Sequence, residues 1–115
     1  MTEFLSADWF RTINEVLQSA TPESAGLWRV VFEWPDGPSS MPHAMTFSCL
    51  EGVASVGVGD HLAADALVTL SFADAQGLAS GSLDIADALR SGAFKLRGDA
   101  RAVVEMANTL RAAFA

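Results

Sequence analysis

The chain has 115 residues, half of them hydrophobic, and a formal net charge of −7. The length suits a single domain over residues 1–115 with a real core, and the negative charge argues against general affinity for nucleic acid. A lone cysteine excludes an intramolecular disulfide and fits a reducing compartment. Without a signal peptide or a membrane-length apolar run, a cytoplasmic location is expected.

The charge is unevenly distributed along the chain. Residues 1–89 contain twelve acidic and two basic residues, whereas residues 90–115 contain five basic and two acidic residues. A solvated surface explains the basic segment. The alternative is a basic rim that meets an anionic head group, a membrane or a protein partner.

The first part of the chain predicts a helix and then a strand. Residues 6–20 have apolar side chains at the spacing of one helix face, with Ser6 as the N-cap and Asn14 on the opposite, polar face. Residues 27–34 alternate, so that large apolar side chains share one face of a strand. That face is expected either to cover a core or to line a cavity.

Further strands follow at close spacing. Residues 35–38 predict a turn in which Gly37 accepts a positive φ. Residues 43–50 and 53–59 alternate as strands, the second of them weakened by its glycines, and residues 66–72 predict a fourth strand. Successive strands at this spacing predict an antiparallel meander of three or four strands.

The pattern changes after the fourth strand. A short helix is predicted over 74–80, weakened by Gly77, and Asp84 caps a second short helix. Alternation resumes over 94–97 as a fifth strand, and Asp99 caps a terminal amphipathic helix. These elements hold few groups that could do chemistry, yet each keeps an apolar face, which favours a cavity over a catalytic centre.

Catalytic and metal-binding patterns are weak. His43 and His61 are the only histidines, and a metal site usually needs three or four protein ligands, so Asp60, His61 and Asp65 are better explained as loop residues. The glycine spacing at residues 52–57 lacks the lysine of a phosphate loop, and the Gly-x-Ser-x-Gly elbow of a hydrolase is absent. No catalytic residue, metal or cofactor is predicted.

Two other polar features have ordinary explanations. Cys49 lies on an alternating strand without a basic neighbour in sequence, which indicates a buried, inert thiol. Asp84 and Asp87 stand three residues apart at a helix start, where capping and the helix dipole account for both.

The order of elements over residues 68–110 resembles the sterol carrier protein (type two) lipid-transfer family. The resemblance rests on the segments V-T-L-S-F, G-S-L-D-I-A-D-A-L and S-G-A-F-K-L-R-G-D, followed by an amphipathic helix. Residues 92–98 have the family's alternation of hydrophobic and basic residues between two glycines. Without a peroxisomal signal at its end, the chain looks like a bacterial single-domain relative.

The resemblance implies an α+β fold, in which a five-stranded, mostly antiparallel sheet has helices packed on one face and an apolar tunnel between them. The tunnel would hold a sterol, fatty acid or acyl thioester without catalysis. Periodicity alone indicates that the large apolar residues pack in the core. The resemblance implies that a subset of them lines the tunnel. The candidate lining residues are Phe32, Met45, Phe47, Leu70, Phe72, Leu78, Leu83, Ile85, Leu89, Phe94, Leu96, Met106 and Leu110.

Two functions stay open from the sequence. One is carriage of a lipid or other long apolar molecule, and the other is an accessory or interaction domain that uses the same fold without a small ligand. The expected partners are a lipid-like small molecule and, transiently, a membrane or a protein, with no nucleic acid. The expected oligomeric state is a monomer or a dimer, and an enzyme is least favoured.

Overall fold

The computed structural model describes residues 5–20, 27–50, 52–61, 63–80, 85–92 and 94–113, with the backbone alone at 19–20, 80, 85–86, 89 and 111–113. Its elements are α1 (Ala7–Ala20), β1 (Trp28–Glu33), β2 (Ala44–Leu50), β3 (Val53–Val58), β4 (Ala66–Thr69), α2 (Phe72–Ser80), α3 (Ile85–Ser91), β5 (Lys95–Gly98) and α4 (Ala100–Ala113). This order confirms the predicted α+β class.

The strands form one mixed sheet in the order β3-β2-β1-β4-β5. β1, β2 and β3 form an antiparallel meander, and β5 is antiparallel to β4. β4, however, lies parallel to β1, with Phe32 opposite Val68, so the extension of the meander to a fourth strand is wrong. Asn14 of α1 caps the outer edge of β3 at Val56. β4 pairs with the edge of β1 that β2 leaves free.

One face of the sheet carries the hydrophobic core. Trp28, Val30 and Phe32 alternate along β1 and are at most 2% exposed. α4 packs on β1, β2 and β4, while α1 packs on β3 and contacts α4. The buried side chains of both helices, such as Leu17 and Met106, belong to the same cluster as the β1 residues. The prediction that helices pack on one face of the sheet is therefore confirmed.

Two of the predicted helix caps are present. The Ser6 Oγ accepts a hydrogen bond from the Trp9 backbone N at 3.1 Å, and the Asp99 Oδ1 accepts one from the Arg101 backbone N at 2.9 Å. Each cap satisfies an N–H that has no acceptor within its helix, an effect of about 1 kcal/mol. The cap predicted at Asp84 lies outside the described residues.

Helix α2 begins earlier than predicted, because Ser71 caps it. The Ser71 Oγ accepts a hydrogen bond from the Asp74 backbone N at 3.1 Å, the geometry of an N-cap. The Phe72 backbone N donates to the Asp36 Oδ1 at 2.8 Å. Phe72, predicted as the end of the fourth strand, is therefore the first residue of the helix.

Two glycines are required by close approaches. A Cβ on Gly37 would lie 2.7 Å from the Trp34 Cδ1 and 3.2 Å from the His43 Cδ2. Gly37 does not adopt a positive φ, so the predicted reason for this glycine is wrong, and the reason is space beside the indole. Gly98 does adopt a φ of +94°, and a Cβ there would lie 2.5 Å from the Asp65 carbonyl oxygen.

Asn14 closes the outer edge of β3. Its Nδ2 donates to the Val56 carbonyl oxygen at 3.0 Å, and its Oδ1 accepts from the Val56 backbone N at 2.7 Å. The side-chain amide thus supplies one donor and one acceptor, as a neighbouring strand would. Asn14 was expected on the exposed polar face of α1, whereas the structure places it half-buried between α1 and β3.

Candidate functional site

The predicted lining residues whose side chains are described all belong to, or pack against, one hydrophobic cluster. Six of them are buried in it: Phe32, Met45, Phe47, Leu70, Phe94 and Met106. Four are partly buried and pack against it, and we call these four the apolar rim: Phe72, Leu78, Leu96 and Leu110. Leu83 lies outside the described residues, and at Ile85 and Leu89 the description covers only the α3 backbone.

Phe32 is the centre of the aromatic contacts in this cluster. Its ring centroid lies 5.8 Å from that of Phe47 and 6.3 Å from that of Phe94, at interplanar angles of 71° and 81°. Such edge-to-face pairs contribute about 0.5–1.5 kcal/mol each beyond the burial of their area. The contacts join β1 to β2 and to the segment that precedes β5.

The apolar rim lies on three elements of the second half of the chain. Phe72 and Leu78 are on α2, Leu96 is on β5, and Leu110 is on α4. Water reaches these side chains in part, while the residues beneath them are closed to solvent. On each of these three elements, an apolar side chain that packs on the core therefore also reaches the protein surface.

Three further partly buried residues pack on the same cluster without having been predicted as lining residues: Phe10, Ile13 and Met41. Ile13 could have been found from its place on the apolar face of α1. Phe10 lies beside Trp9 with ring centroids 5.0 Å apart. Met41 lies in the loop between β1 and β2, where no periodicity marks an inward-facing residue.

Cys49 is fully buried on β2, as predicted. Burial and, to a lesser extent, the Glu105 carboxylate raise the pKa of its thiol. A raised pKa keeps the sulfur protonated near neutral pH, and the thiolate is the reactive form. The site therefore offers no activated nucleophile at this position.

The two histidines are exposed and bonded to nearby backbone. The His43 Nε2 donates to the Pro38 carbonyl oxygen at 3.0 Å, and the His61 Nδ1 accepts from the Ala63 backbone N at 3.0 Å. Within the described ranges, no three His, Cys, Asp or Glu side chains lie close enough together to hold a metal ion. Every buried side-chain nitrogen or oxygen in those ranges has a hydrogen-bond partner.

Asp65, considered above as a weak metal ligand, joins three elements instead. Its Oδ2 accepts from the Arg29 backbone N at 2.8 Å, and its own backbone N donates to the Arg29 carbonyl oxygen at 2.8 Å. Its carbonyl oxygen accepts from the Asp99 backbone N at 2.9 Å. Asp65 thus ties together the starts of β1, β4 and α4.

Every helix in the described part of the chain is too short or too polar to cross a bilayer.

No protein-family model and no curated protein matches the sequence. Solved structures do match. A conserved hypothetical protein of Thermus thermophilus, described as possibly a sterol carrier protein, has a TM-score of 0.70 and 18% identity over 98% of this chain and 86% of its own. Palmitated SCP2L2 from Aedes aegypti has a TM-score of 0.65 and 20% identity over 91% of this chain and 94% of its own.

The chain has the sterol carrier protein 2 fold. The UbiJ-SCP2 ubiquinone synthesis protein shares it, with a TM-score of 0.64 and 17% identity over 93% of each chain. The fold also matches part of a larger enzyme, the sec-alkyl sulfatase PisA1, with a TM-score of 0.62 and 20% identity over 94% of this chain. This chain spans only 16% of that sulfatase chain, and 15% of Pisa1 from Pseudomonas sp..

Within the sterol carrier protein 2 fold, the structure confirms a five-stranded, mostly antiparallel sheet with helices on one face. The resemblance drawn from residues 68–110 therefore holds for the fold as a whole. The predicted lining residues whose side chains are described belong to the hydrophobic cluster that joins this sheet face to α1 and α4, or pack against it.

Proposed function

We propose that this protein binds and carries a lipid or another long apolar molecule, of the sterol, fatty acid or acyl thioester class, and catalyses no reaction on it. The observation that carries the proposal is the apolar rim, where a closed hydrophobic core reaches solvent on α2, β5 and α4. The Aedes aegypti protein of the same fold is described as palmitated, which supports a fatty acyl chain as one ligand.

The rim and the core beneath it suit a flexible hydrocarbon chain. Moving apolar groups out of water contributes about 0.8 kcal/mol per buried CH₂, so a long acyl chain offers a large driving force. Met45 and Met106 are buried among aromatic residues, and methionine adapts its shape to irregular apolar partners. We propose that the predicted lining residues, including Leu83, Ile85 and Leu89, surround such a chain in an apolar tunnel.

Helix α2 is the element we propose to move when a ligand enters. Gly77 lies inside this helix, where glycine is about 1 kcal/mol less favourable than alanine. Elements with low local stability open at low cost in free energy. Opening of α2 would expose Phe72 and Leu78 on one side and admit a ligand toward the buried residues.

A non-catalytic role fits the polar groups of the site. The thiol of Cys49 is protonated by virtue of its burial, and both histidines are engaged with backbone at the surface. We propose a cytoplasmic, single-domain carrier over residues 1–115, since the lone cysteine suits a reducing compartment. Contact with a membrane or a protein during loading would be transient.

Native mass spectrometry of the purified chain tests this proposal. We expect a population with the added mass of a lipid, and a higher unfolding temperature after palmitate is added, because a ligand that binds only the folded state stabilises it. Absence of both effects with palmitate, cholesterol and an acyl thioester would contradict carriage.

A second candidate function is an accessory or interaction domain without a small ligand. Two matches favour it: a ubiquinone synthesis protein has this fold over nearly its whole length, and the sulfatase contains the fold within a much longer chain. In this role the apolar rim would contact protein. Substitutions in the rim would then weaken a protein complex. Addition of palmitate would leave the unfolding temperature of the protein unchanged.

A further inference from the structure

The two edge strands of the sheet differ in how their outer edges are closed. β3 and β5 are the edge strands. The outward backbone groups of β3 at Val56 are both bonded to Asn14. An unpaired strand edge is a template for another strand. Whether the outer edge of β5 is open therefore depends on whether its outward-facing N–H and C=O groups have hydrogen-bond partners.

The hydrogen-bond pattern shows which β5 groups face outward. The Asp99 backbone N donates to the Asp65 carbonyl oxygen at 2.9 Å, one step beyond the β4–β5 register. Hydrogen-bonded and non-hydrogen-bonded pairs alternate in an antiparallel ladder. The backbone N–H and C=O groups of Lys95 and Arg97 therefore form hydrogen bonds with β4. The backbone N–H and C=O of Leu96 point away from the sheet. Among the described residues, neither group of Leu96 has a partner.

The side chains beside this open edge are basic. Lys95 and Arg97 are exposed, and they lie on the sheet face opposite the helices, since Leu96 between them packs on the core. Neither forms an ion pair with any described residue, whereas Arg11 and Arg90 pair with acidic residues of their own helices. Among the described residues, the outer edge of β5 is therefore open and its two positive charges are unpaired, in a chain of net charge −7.

We propose that the outer edge of β5 binds an extended acidic segment of a partner protein by strand addition. The main chain of that segment would bond to the N–H and C=O of Leu96. Side chains of the added strand alternate between faces, so two acidic residues separated by one apolar residue would face Lys95 and Arg97. The apolar residue between them would contact the half-exposed Leu96 side chain.

A second copy of this chain is a poorer occupant of the edge. Antiparallel pairing of two β5 strands about Leu96 would set Lys95 opposite Arg97 twice, and like charges directly opposite each other destabilise a strand pair. Charge complementarity therefore favours an acidic partner over self-association.

The test uses the full chain, labelled for NMR, and a short peptide of alternating glutamate and valine whose two ends carry neutral blocking groups. We expect binding that slows hydrogen exchange of the Leu96 amide, because strand addition occupies that N–H. A peptide of the same composition with its glutamates in one block should bind more weakly. The double variant Lys95→Glu, Arg97→Glu should lose about tenfold in affinity and should instead bind a lysine–valine peptide. The variant Arg11→Glu, Arg90→Glu, with the same change in net charge, should bind like the unmodified chain.

Several results would overturn the proposal. These are no binding of the alternating peptide, binding without protection of the Leu96 amide, or equal loss of affinity in both double variants. Binding to phosphatidylglycerol vesicles that depends on Lys95 and Arg97, without peptide binding, would assign the basic residues to a lipid surface instead.

Discussion

The ring of Phe94 meets the ring of Phe32 edge-on, with centroids 6.3 Å apart and an interplanar angle of 81°. β4 lies between β1 and β5 in the sheet, so the two rings meet over β4 on the helix-covered face. The contact fixes the start of β5 to the most buried part of the core. Phe94 and Phe32 therefore form a fixed, buried side of the proposed site. We expect Phe94 to contribute to the stability of the fold.

We expect Phe94→Ala to lower the free energy of unfolding by about 3 kcal/mol, because a nearly fully buried aromatic residue is removed and a cavity is left. Urea unfolding at equilibrium measures this change. Val104→Ala is the control: Val104 is 53% exposed on α4, and exposed positions usually change stability by less than about 0.5 kcal/mol. Similar losses in the two variants would contradict the placement of Phe94 in the core.

Asn14→Ala should destabilise the protein by about 1–3 kcal/mol, because it leaves the N–H and C=O of Val56 without partners. The same change should promote aggregation, since the outer edge of β3 becomes available for pairing. Unfolding in urea and light scattering measure the two effects. Gln18→Ala, at an exposed position on the same helix, should have little effect, and equal behaviour of the two variants would refute the role of Asn14.

Gly98→Ala and Gly52→Ala separate a steric clash from backbone strain. Both glycines have positive φ, but a Cβ on Gly98 would lie 2.5 Å from the Asp65 carbonyl oxygen, whereas nothing lies within 4 Å of one on Gly52. Each substitution should cost about 1 kcal/mol for the backbone conformation, and Gly98→Ala should cost clearly more. Equal unfolding temperatures for the two variants would show that the β4–β5 junction accommodates the extra methyl group.

The Cys49 thiol should make stability fall at alkaline pH. Burial raises its pKa in the folded state, so the folded protein holds the proton more tightly than the unfolded chain. Its contribution is complete below the unfolded pKa of about 8.5 and is lost as pH rises through the folded pKa. Unfolding free energies measured from neutral to alkaline pH should show a steeper decline for the native chain than for Cys49→Ala. Parallel pH profiles would contradict a protonated, buried thiol.

Leu110→Gln should weaken ligand binding about tenfold, because it places a polar amide in the apolar rim, where an unbonded polar group costs about 1–3 kcal/mol. Displacement of a fluorescent fatty acid measures the affinity. Val104→Gln introduces the same side chain on the same helix at an exposed position and should leave the affinity unchanged. If both variants bind equally well, Leu110 lies away from the ligand.

Much of the fold could be predicted from local patterns. The apolar alternation of Trp28, Val30 and Phe32 and the caps at Ser6 and Asp99 depend on neighbours within a few residues, and the structure confirms them. These features follow from strand and helix periods that act along the chain. They identified the sheet, the helices and the buried candidate residues.

Features that depend on residues far apart in sequence were not predictable. Asn14 looks like any polar helix residue, yet its amide bonds to Val56, which is 42 positions away. The parallel pairing of β4 with β1 depends on which strand edge remains free, and periodicity carries no information about that choice. Gly37 was assigned to a turn by its type, but its requirement is the indole of Trp34 beside it.

Carriage of a long apolar molecule by this protein is tested most directly by native mass spectrometry of the full chain before and after delipidation and addition of palmitate. We expect the purified protein to have the added mass of a lipid, to lose it on delipidation and to regain it with palmitate, together with a higher unfolding temperature. A bare protein mass throughout, with no thermal shift for palmitate, cholesterol or an acyl thioester, would contradict it.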